Sequence, residues 1–397
     1  MLALAMELRA SGHEARFCAP PNFGEWIESF GFEFVPIGPD VREMTRASSK
    51  PFVMPTPEQR KALAAGTVRT QFEVVGQAAR GCDLLVACGV LQIAAPSIAR
   101  LQGIPSVFVA YAPVSLPSPD HAPPKMGPAH PQDLGGAGNL ALWKAEEDNW
   151  NGLFGAALNE ERAKAGLAPV DNVLRHVITE RPWLAADPVL GPAPSSTGLE
   201  IVTTGAWMVA DQSPLPPALE QFLDAGDPPV YLGFGSMRGA EQAAPVLIEA
   251  VRSVERRAIV SEGWGKLIPL DARNDCIAIG DVNHAKLFPR VAAVVHHGGA
   301  GTTHAAAAAG VPQVIVPHHY DQPYWARRVQ ALGIGMEGPA REKLETGGMI
   351  ATLRECVSGD ARKRSQAFAG RIDRAGASAA VDEIVQLASG YRGCCSS

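Results

Sequence analysis

A glycine-rich segment from His296 to Thr303 is the part of the sequence best suited to binding chemistry. An apolar run at 291–295 precedes it and an alanine-rich run follows, a pattern that predicts a buried strand, a tight turn and a helix. Glycines let a bound group approach the backbone closely, and the free N–H groups and positive dipole end of the helix favour a phosphate. Taken alone, such a segment is more often a packing turn.

Other phosphate-binding motifs are excluded by their spacing. The Walker loop needs Gly-x-x-x-x-Gly-Lys-Ser/Thr, which the sequence lacks. The dinucleotide fingerprint needs three glycines, and His304 stands where the third would be. Asp321 and Gln322 follow the next apolar run. Such a pair at the end of a strand suits a polyol, because the carboxylate accepts from two hydroxyls while the amide both donates and accepts.

A second polar loop, from Gly233 to Met237, follows the apolar run 230–232. Its backbone and the Ser236 hydroxyl could meet the same diphosphate from the other side, although an ordinary strand-to-helix turn explains the loop as well. The two loops and the Asp321–Gln322 pair together favour a nucleotide-sugar site in the second half of the chain.

These residues need a scaffold that brings strand ends together, and the alternation of apolar runs with helical segments predicts one. Strands are predicted at 15–18, 32–37, 84–88, 106–110, 230–232, 258–261, 276–280, 291–295 and 314–316. The sequence thus predicts an α/β fold with two doubly wound, Rossmann-like domains that face each other across a cleft. We assign 1–190 to the first domain, 191–213 to a proline-rich linker and 214–397 to the second, whose last helix is a candidate to cross back.

Composition excludes several classes of protein. Hydrophobic residues make up 46% and charged residues 19%, which rules out a disordered chain. A net charge of −6 argues against nucleic acid as a partner, and no apolar run reaches the roughly 18 residues of a membrane span. Seven cysteines without a C-x-x-C motif favour reduced thiols and a cytoplasmic location.

Metal-binding patterns are also missing from the sequence. No two aspartates stand two positions apart. The adjacent His296 and His297 would point to opposite faces of a strand, which is a poor arrangement for joint ligation. We therefore expect neither a metal site nor a cofactor.

Six longer segments carry a resemblance to a known family. They are RPWLAADPVL (181–190), TGAW (204–207), VYLGFGSM (230–237), SEGWGKL (261–267), GDVNHAKLFPRVAAVVHHGGAGTTHAA (280–306) and GVPQVIVPHHYDQPYWARRVQALGIG (310–335). With them the sequence resembles the family 1 glycosyltransferases of the GT-B fold, above all the bacterial enzymes that glycosylate glycopeptide-antibiotic aglycones. Sterol glucosyltransferases share the HHGGAGT and DQP pieces, which leaves the acceptor class open.

The resemblance implies which residues hold the donor. Asp321 and Gln322 would hold the sugar hydroxyls. His296 matches the family's phosphate-contacting histidine, and His297 is a weaker candidate beside it. The residues implied for the diphosphate are Ser236, His296, His297, Gly299, Gly301 and Thr302.

The nucleoside contacts are less completely implied. Val282 matches the position whose backbone meets the pyrimidine, and Trp264 is expected either near the nucleoside or in the core. His304 occupies the place of the family's ribose-binding glutamate, so the ribose contact stays open and a structural role is an alternative. His318 and His319 either face the cleft or lie in a solvated loop.

The beginning of the sequence departs from the family pattern. In the family, a first strand and a glycine-rich loop precede the first helix, and that region carries the Asp or His that acts as general base. Here Met1 already lies in the predicted helix, and His13 follows at its other end. The general base is therefore expected upstream of Met1, and the first sheet is expected to lack a strand.

The expected function is metal-free, inverting transfer of a hexose from a UDP- or dTDP-sugar to a hydroxyl of a natural-product aglycone. The acceptor would bind near the long proline-rich loop at 112–138, and the nucleotide sugar is a co-substrate rather than a cofactor. The alternatives are a sterol or other lipid glucosyltransferase, a nucleotide-sugar epimerase and a non-catalytic nucleotide-sugar binder. The long loop argues against the epimerase, while the missing base favours the binder.

Overall fold

The first domain and the second each contain parallel sheet flanked by helices. The computed structural model describes residues 1–46, 55–125, 134–195, 198–237, 242–264 and 267–395. Its strands are β1 Arg16–Ala19, β2 Glu33–Pro36, β3 Leu85–Cys88, β4 Ser106–Ala110, β5 Trp183–Leu184, β6 Val202–Thr203, β7 Val230–Gly233, β8 Ala258–Ser261, β9 Cys276–Ile279, β10 Ala293–His296, β11 Gln313–Ile315 and β12 Gly335–Glu337. All the strands predicted from the sequence are present, displaced by at most two residues at either end.

The helices alternate with these strands along the chain. They are α1 Leu2–Ala10, α2 Gly24–Ser29, α3 Val41–Arg46, α4 Pro57–Thr70, α5 Gly76–Ala78, α6 Ala95–Gln102, α7 Gly136–Trp150, α8 Ala156–Lys164, α9 Val173–Ile178, α10 Pro217–Asp224, α11 Ala244–Ser253, α12 His284–Leu287, α13 Ala300–Ala308, α14 Gln322–Ala331, α15 Thr346–Cys356, α16 Gly359–Ala369 and α17 Gly376–Cys395. Among the helices of the described ranges, none is both long enough and apolar enough to cross a bilayer.

The second domain is built on one six-stranded parallel sheet, in the order β12-β11-β10-β7-β8-β9. Its central strands β7 and β10 are buried along their whole length, which explains their uninterrupted apolar sequence. Because β7 and β10 are neighbours and parallel, the loops that leave their carboxyl ends lie side by side. The glycine-rich segment and the Ser236 loop are those two loops.

The first domain contains a four-stranded parallel sheet in the order β3-β4-β5-β6. Strand β6 lies inside the predicted linker 191–213, where it pairs with β5 through Val202 and Trp183. The sheet of the first domain therefore extends to Thr203, beyond the boundary that proline density indicated. Strands of two residues leave too short an apolar run to be recognised from the sequence.

A second, two-stranded sheet of β1 and β2 stands apart from the four-stranded one. Strands β1 and β3 are the facing edges, and both line a cavity of about 1580 Å³ together with the start of α1. Among the described residues, the strands of the first domain therefore form two separate hydrogen-bonded sheets rather than one continuous sheet.

The two domains are joined by side chains as well as by the chain itself. The final helix, α17, returns to the first domain and packs Ala380 and Ile384 with Leu4 and Trp183. The buried carboxylate of Asp187 accepts hydrogen bonds from the backbone N–H groups of Val189, Leu190 and Asp373. These contacts fix the crossing between domains beneath the cleft.

Candidate active site

The turn between β10 and α13 forms a site suited to an anion. Gly298 adopts a φ of +96°, and a Cβ atom there would lie 2.6 Å from Ile315, so only glycine fits. Gly299 precedes the helix, and no side chain caps its first turn. The first N–H groups of a helix have no partner within it, so this terminus offers donors to a ligand. Gly301 is exposed and Thr302 half-buried, so both are accessible there.

The loop after β7 approaches the same turn. Ser236 is exposed, and the preceding Gly235 adopts a φ of +53°. A Cβ atom on Gly235 would lie 3.3 Å from the ring of His297, which shows how closely the two loops approach. The carbonyl of Gly235 also accepts a hydrogen bond of 2.8 Å from the N–H of Trp264. Three loops therefore meet at one edge of the second sheet.

The ring of His296 makes its hydrogen bonds within the protein, whereas the family pattern predicts a contact with the phosphate. Its side chain is wholly buried, Nε2 lies 2.9 Å from Oε1 of Gln313, and Nδ1 accepts from the N–H of Gly298 at 3.1 Å. Burial lowers the pKa of His296 to about 3, so the ring is neutral. Both ring nitrogens are occupied, and His296 instead holds the glycine turn in shape.

His297, the weaker candidate from the sequence, is the better placed of the two. A Cβ atom on Gly299 would lie 2.7 Å from its Nε2, so the ring lies against the beginning of α13. Its Nδ1 is buried and has no hydrogen-bond partner among the described residues. Burial lowers the pKa of His297 to about 4, which leaves a neutral ring able to donate one hydrogen bond.

The Asp321–Gln322 pair lies at the neighbouring strand end, after β11. Oδ2 of Asp321 accepts from Nε1 of Trp325 at 3.0 Å, and burial raises the pKa of this carboxyl to about 6. Gln322 is 4% exposed, and its Oε1 accepts from the N–H groups of His318 and His319. The carboxylate can therefore meet a ligand, whereas the amide oxygen of Gln322 is already used to hold its own loop.

The predicted nucleoside residues lie on the far side of the same edge. Val282 is half-buried and packs on the core around β9. The indole of Trp264 lies 5.7 Å from the ring of Phe23, and the guanidinium of Arg42 lies 5.4 Å from its centroid. Phe23 and Arg42 belong to the first domain, so Trp264 is at the cleft rather than in the core.

The other histidines have structural surroundings. His304 is buried, its Nε2 accepts from the N–H of Asp187, and its Nδ1 donates to the carbonyl of Ala300. It therefore ties α13 to the crossing between domains, and its structural alternative is the one that the geometry supports. His318 is half-buried with its ring 5.6 Å from Phe234, and burial lowers its pKa to about 3.

Sequence reasoning missed one residue of this region, Tyr320. Its N–H donates to the carbonyl of Lys125 at 3.0 Å, and its hydroxyl lies 3.4 Å from Oγ of Ser115. Both partners belong to the proline-rich loop of the first domain. The only signal in the sequence is its position next to Asp321. The general base stays a prediction, and His13 is exposed at the far end of α1.

Comparison with known proteins agrees with this arrangement. The erythromycin biosynthesis protein CIII-like C-terminal domain matches residues 260–388. Glycosyltransferase GtfE of Amycolatopsis orientalis is 44% identical over 96% of this chain and 92% of its own length. The vancomycin aglycone glucosyltransferase of the same organism is 40% identical over 98% and 94%.

A solved structure and more distant relatives complete the comparison. Glycosyltransferase VinC in complex with dTDP has a TM-score of 0.68 at 21% identity, covering 98% of this chain and 96% of that one. It shares the two-domain fold. Sterol 3-beta-glucosyltransferases also match, but at 28 and 29% identity. The chain therefore belongs to the family 1 glycosyltransferases of the GT-B fold, alongside the bacterial glycopeptide-antibiotic glycosyltransferases.

Proposed function

We propose that this glycosyltransferase moves a hexose from a dTDP- or UDP-sugar to a hydroxyl of a glycopeptide-like aglycone, with inversion at the anomeric carbon. The observation that carries the proposal is the shared edge of the second sheet. An uncapped helix terminus and a half-buried carboxylate lie there at neighbouring strand ends. The 40–44% identity to glycopeptide relatives supports the acceptor class over a sterol.

The diphosphate would lie at the beginning of α13. The N–H of Gly301, the hydroxyls of Thr302 and Ser236, and the ring of His297 would surround it, while Gly299 gives room for close approach. Charge develops on the diphosphate as it leaves, and donors fixed around that position stabilise it without reorganisation. The positive end of the helix dipole acts in the same direction.

The sugar would lie between the diphosphate and Asp321, whose carboxylate accepts from two neighbouring hydroxyls. A base removes the proton of the acceptor hydroxyl, and the oxygen attacks the anomeric carbon from the face opposite the diphosphate. The bond from that carbon to the phosphate oxygen breaks as the new bond forms. An α-linked donor therefore gives a β-glycoside. The acceptor would enter from the first domain, near the proline-rich loop.

A transfer assay tests this proposal. Vancomycin aglycone is incubated with dTDP-glucose or UDP-glucose, and the product is identified by its gain of one hexose and its β-anomeric NMR coupling. A donor that is isomerised without acceptor would establish an epimerase, and glucosylation of cholesterol alone would establish a sterol enzyme. Tight nucleotide binding without turnover on any acceptor would establish a binding protein.

We also propose that transfer needs no metal ion, because the helix terminus and its neighbouring donors can balance the leaving charge. Treatment with EDTA followed by desalting should leave the rate unchanged, and a rate restored only by added Mg²⁺ or Mn²⁺ would overturn this. A cytoplasmic location is proposed because five cysteines have free thiols, namely Cys18, Cys82, Cys88, Cys276 and Cys356. Cell fractionation tests that location.

A further inference from the structure

Tyr320 holds an unusual backbone conformation beside the proposed sugar site. In the described part of the chain, three residues other than glycine have positive φ, namely Thr179 at 64°, Glu255 at 54° and Tyr320 at 58°. For a bulky side chain this left-handed region is a true outlier. Such strain persists only where the surroundings enforce it, and it is concentrated at functional sites.

The surroundings that enforce it belong to the other domain. The N–H of Tyr320 donates to the carbonyl of Lys125 at 3.0 Å, and its phenol lies 3.4 Å from the hydroxyl of Ser115. Ser115 is 7% exposed, in the short 3₁₀ turn Pro113–Ser115 that packs into the core of the first domain. Burial raises the pKa of Tyr320, so the phenol keeps its proton and its capacity to donate. The contact of Tyr320 therefore has a rigid partner in the first domain, which is the domain proposed to bind the acceptor substrate.

The neighbours of Tyr320 in the second domain are also held by hydrogen bonds. Oε1 of Gln322 accepts from the N–H groups of His318 and His319, the two residues before Tyr320. Asp321, the residue after it, is held by Trp325 at the beginning of α14. Tyr320 is thus tied to the proline-rich loop by both backbone and side chain, and in the described part of that loop no other residue of segment 318–322 has both contacts. A displacement of that loop is therefore transmitted directly to Tyr320, which is next to Asp321, whose carboxylate is proposed to bind the sugar.

We propose that Tyr320 is a positioning residue that couples the proline-rich loop to the carboxylate of Asp321, and so favours sugar transfer to the acceptor over transfer to water. The inference rests on the proposed function. With the loop in place, the left-handed backbone at Tyr320 aims the carboxylate at the sugar. When the contact is lost, the backbone relaxes, the sugar is held in a less defined position, and water competes better with the acceptor oxygen.

Two substitutions at this position separate the parts of the contact. Tyr320→Gly removes the ring and the strain together, so segment 318–322 is no longer tied to Ser115. Tyr320→Phe keeps the ring and the strained backbone and removes only the hydroxyl. Glu255→Gly is the matched control, because it relieves a similar positive φ at an exposed turn far from the cleft.

The measured quantity is the ratio of glucosylated vancomycin aglycone to free glucose formed from dTDP-glucose, with the Kd of dTDP as a second readout. We expect Tyr320→Gly to lower the ratio about tenfold to a hundredfold, since small misplacements at a reacting centre have effects of this size. Tyr320→Phe should give an intermediate fall, and Glu255→Gly none. The Kd of dTDP should be unchanged throughout.

Two results would overturn the inference and one would concern the function itself. A ratio for Tyr320→Gly equal to that of the unaltered protein shows that the contact has no part in positioning. An equal fall in Glu255→Gly shows that loss of rigidity alone is responsible. If the unaltered protein neither binds dTDP or UDP nor transfers glucose, the proposed function is what has failed.

Discussion

Replacing the two adjacent histidines by alanine, one at a time, should change two different quantities: the affinity for dTDP in the case of His297 and the stability of the fold in the case of His296. His297→Ala removes a donor from the proposed diphosphate site, and a hydrogen bond to a charged group contributes about 1.5–3 kcal/mol. The Kd of dTDP should therefore rise roughly tenfold to a hundredfold. Because Nδ1 of His297 has no partner among the described residues, the thermal stability of the free protein should change little.

His296→Ala should instead damage the fold. It leaves Oε1 of Gln313 and the N–H of Gly298 buried without partners, at about 1–3 kcal/mol each. The midpoint of thermal unfolding should fall on the order of 10 °C. Below that temperature, His296→Ala should weaken dTDP binding only through distortion of the glycine turn. His296→Asn should recover part of the lost stability.

Isothermal calorimetry and thermal unfolding of the same samples make this comparison, with His13→Ala as an exposed control that should change neither quantity. His296 is wholly buried with both ring nitrogens occupied, whereas His297 is half-buried against the beginning of α13. This distinction is refuted if His296→Ala weakens dTDP as strongly as His297→Ala while the unfolding temperature stays constant.

Two further predictions concern the sugar and pH. Asp321→Ala should weaken dTDP-glucose and leave dTDP nearly unchanged, while Thr302→Ala should weaken both by roughly 1–3 kcal/mol; equal losses for Asp321→Ala with the two ligands contradict the assignment. Burial raises the pKa of Asp321 to about 6, so the ionised carboxylate lowers the stability of the fold above that pH, and this cost disappears near pH 4, where the carboxyl is protonated in both the folded and the unfolded protein. Asp321→Asn should accordingly raise the unfolding temperature at pH 7 and not at pH 4, while KM for dTDP-glucose in the unaltered protein should increase as pH falls through 6.

The longer strands could be predicted from the sequence, whereas the two-residue strands could not. Strands β4 and β10 have apolar runs because helices cover both faces of a parallel sheet, and such runs are visible without a structure. Strands β5 and β6 have two residues each and depend on partners distant in the chain, so proline density dominated the prediction around them.

The candidate site, too, could be predicted from the sequence only in part. Strand ends of one parallel sheet must meet, so the sequence could bring Ser236, Thr302 and Asp321 to one edge. Alternation along β10 predicted that His296 and His297 face opposite ways, but it could not tell which of the two rings has protein partners at both nitrogens. That depends on Gln313, a residue of the neighbouring strand, and such tertiary contacts are not encoded in local patterns. Tyr320 was missed for the same reason.

The separation of β1 and β2 from the rest of the first sheet has a consequence for local unfolding. No strand of the described chain joins β1 to β3, so this unit is held by side-chain packing rather than by backbone hydrogen bonds across the sheet. Cooperative units of that kind open at lower free energy than central strands. Phe23 and Arg42, which cover Trp264, follow β1 and β2 in the chain. We therefore expect the amide protons of β1 and β2 to exchange earlier than those of β10, and the contacts of Phe23 and Arg42 with Trp264 to open with them.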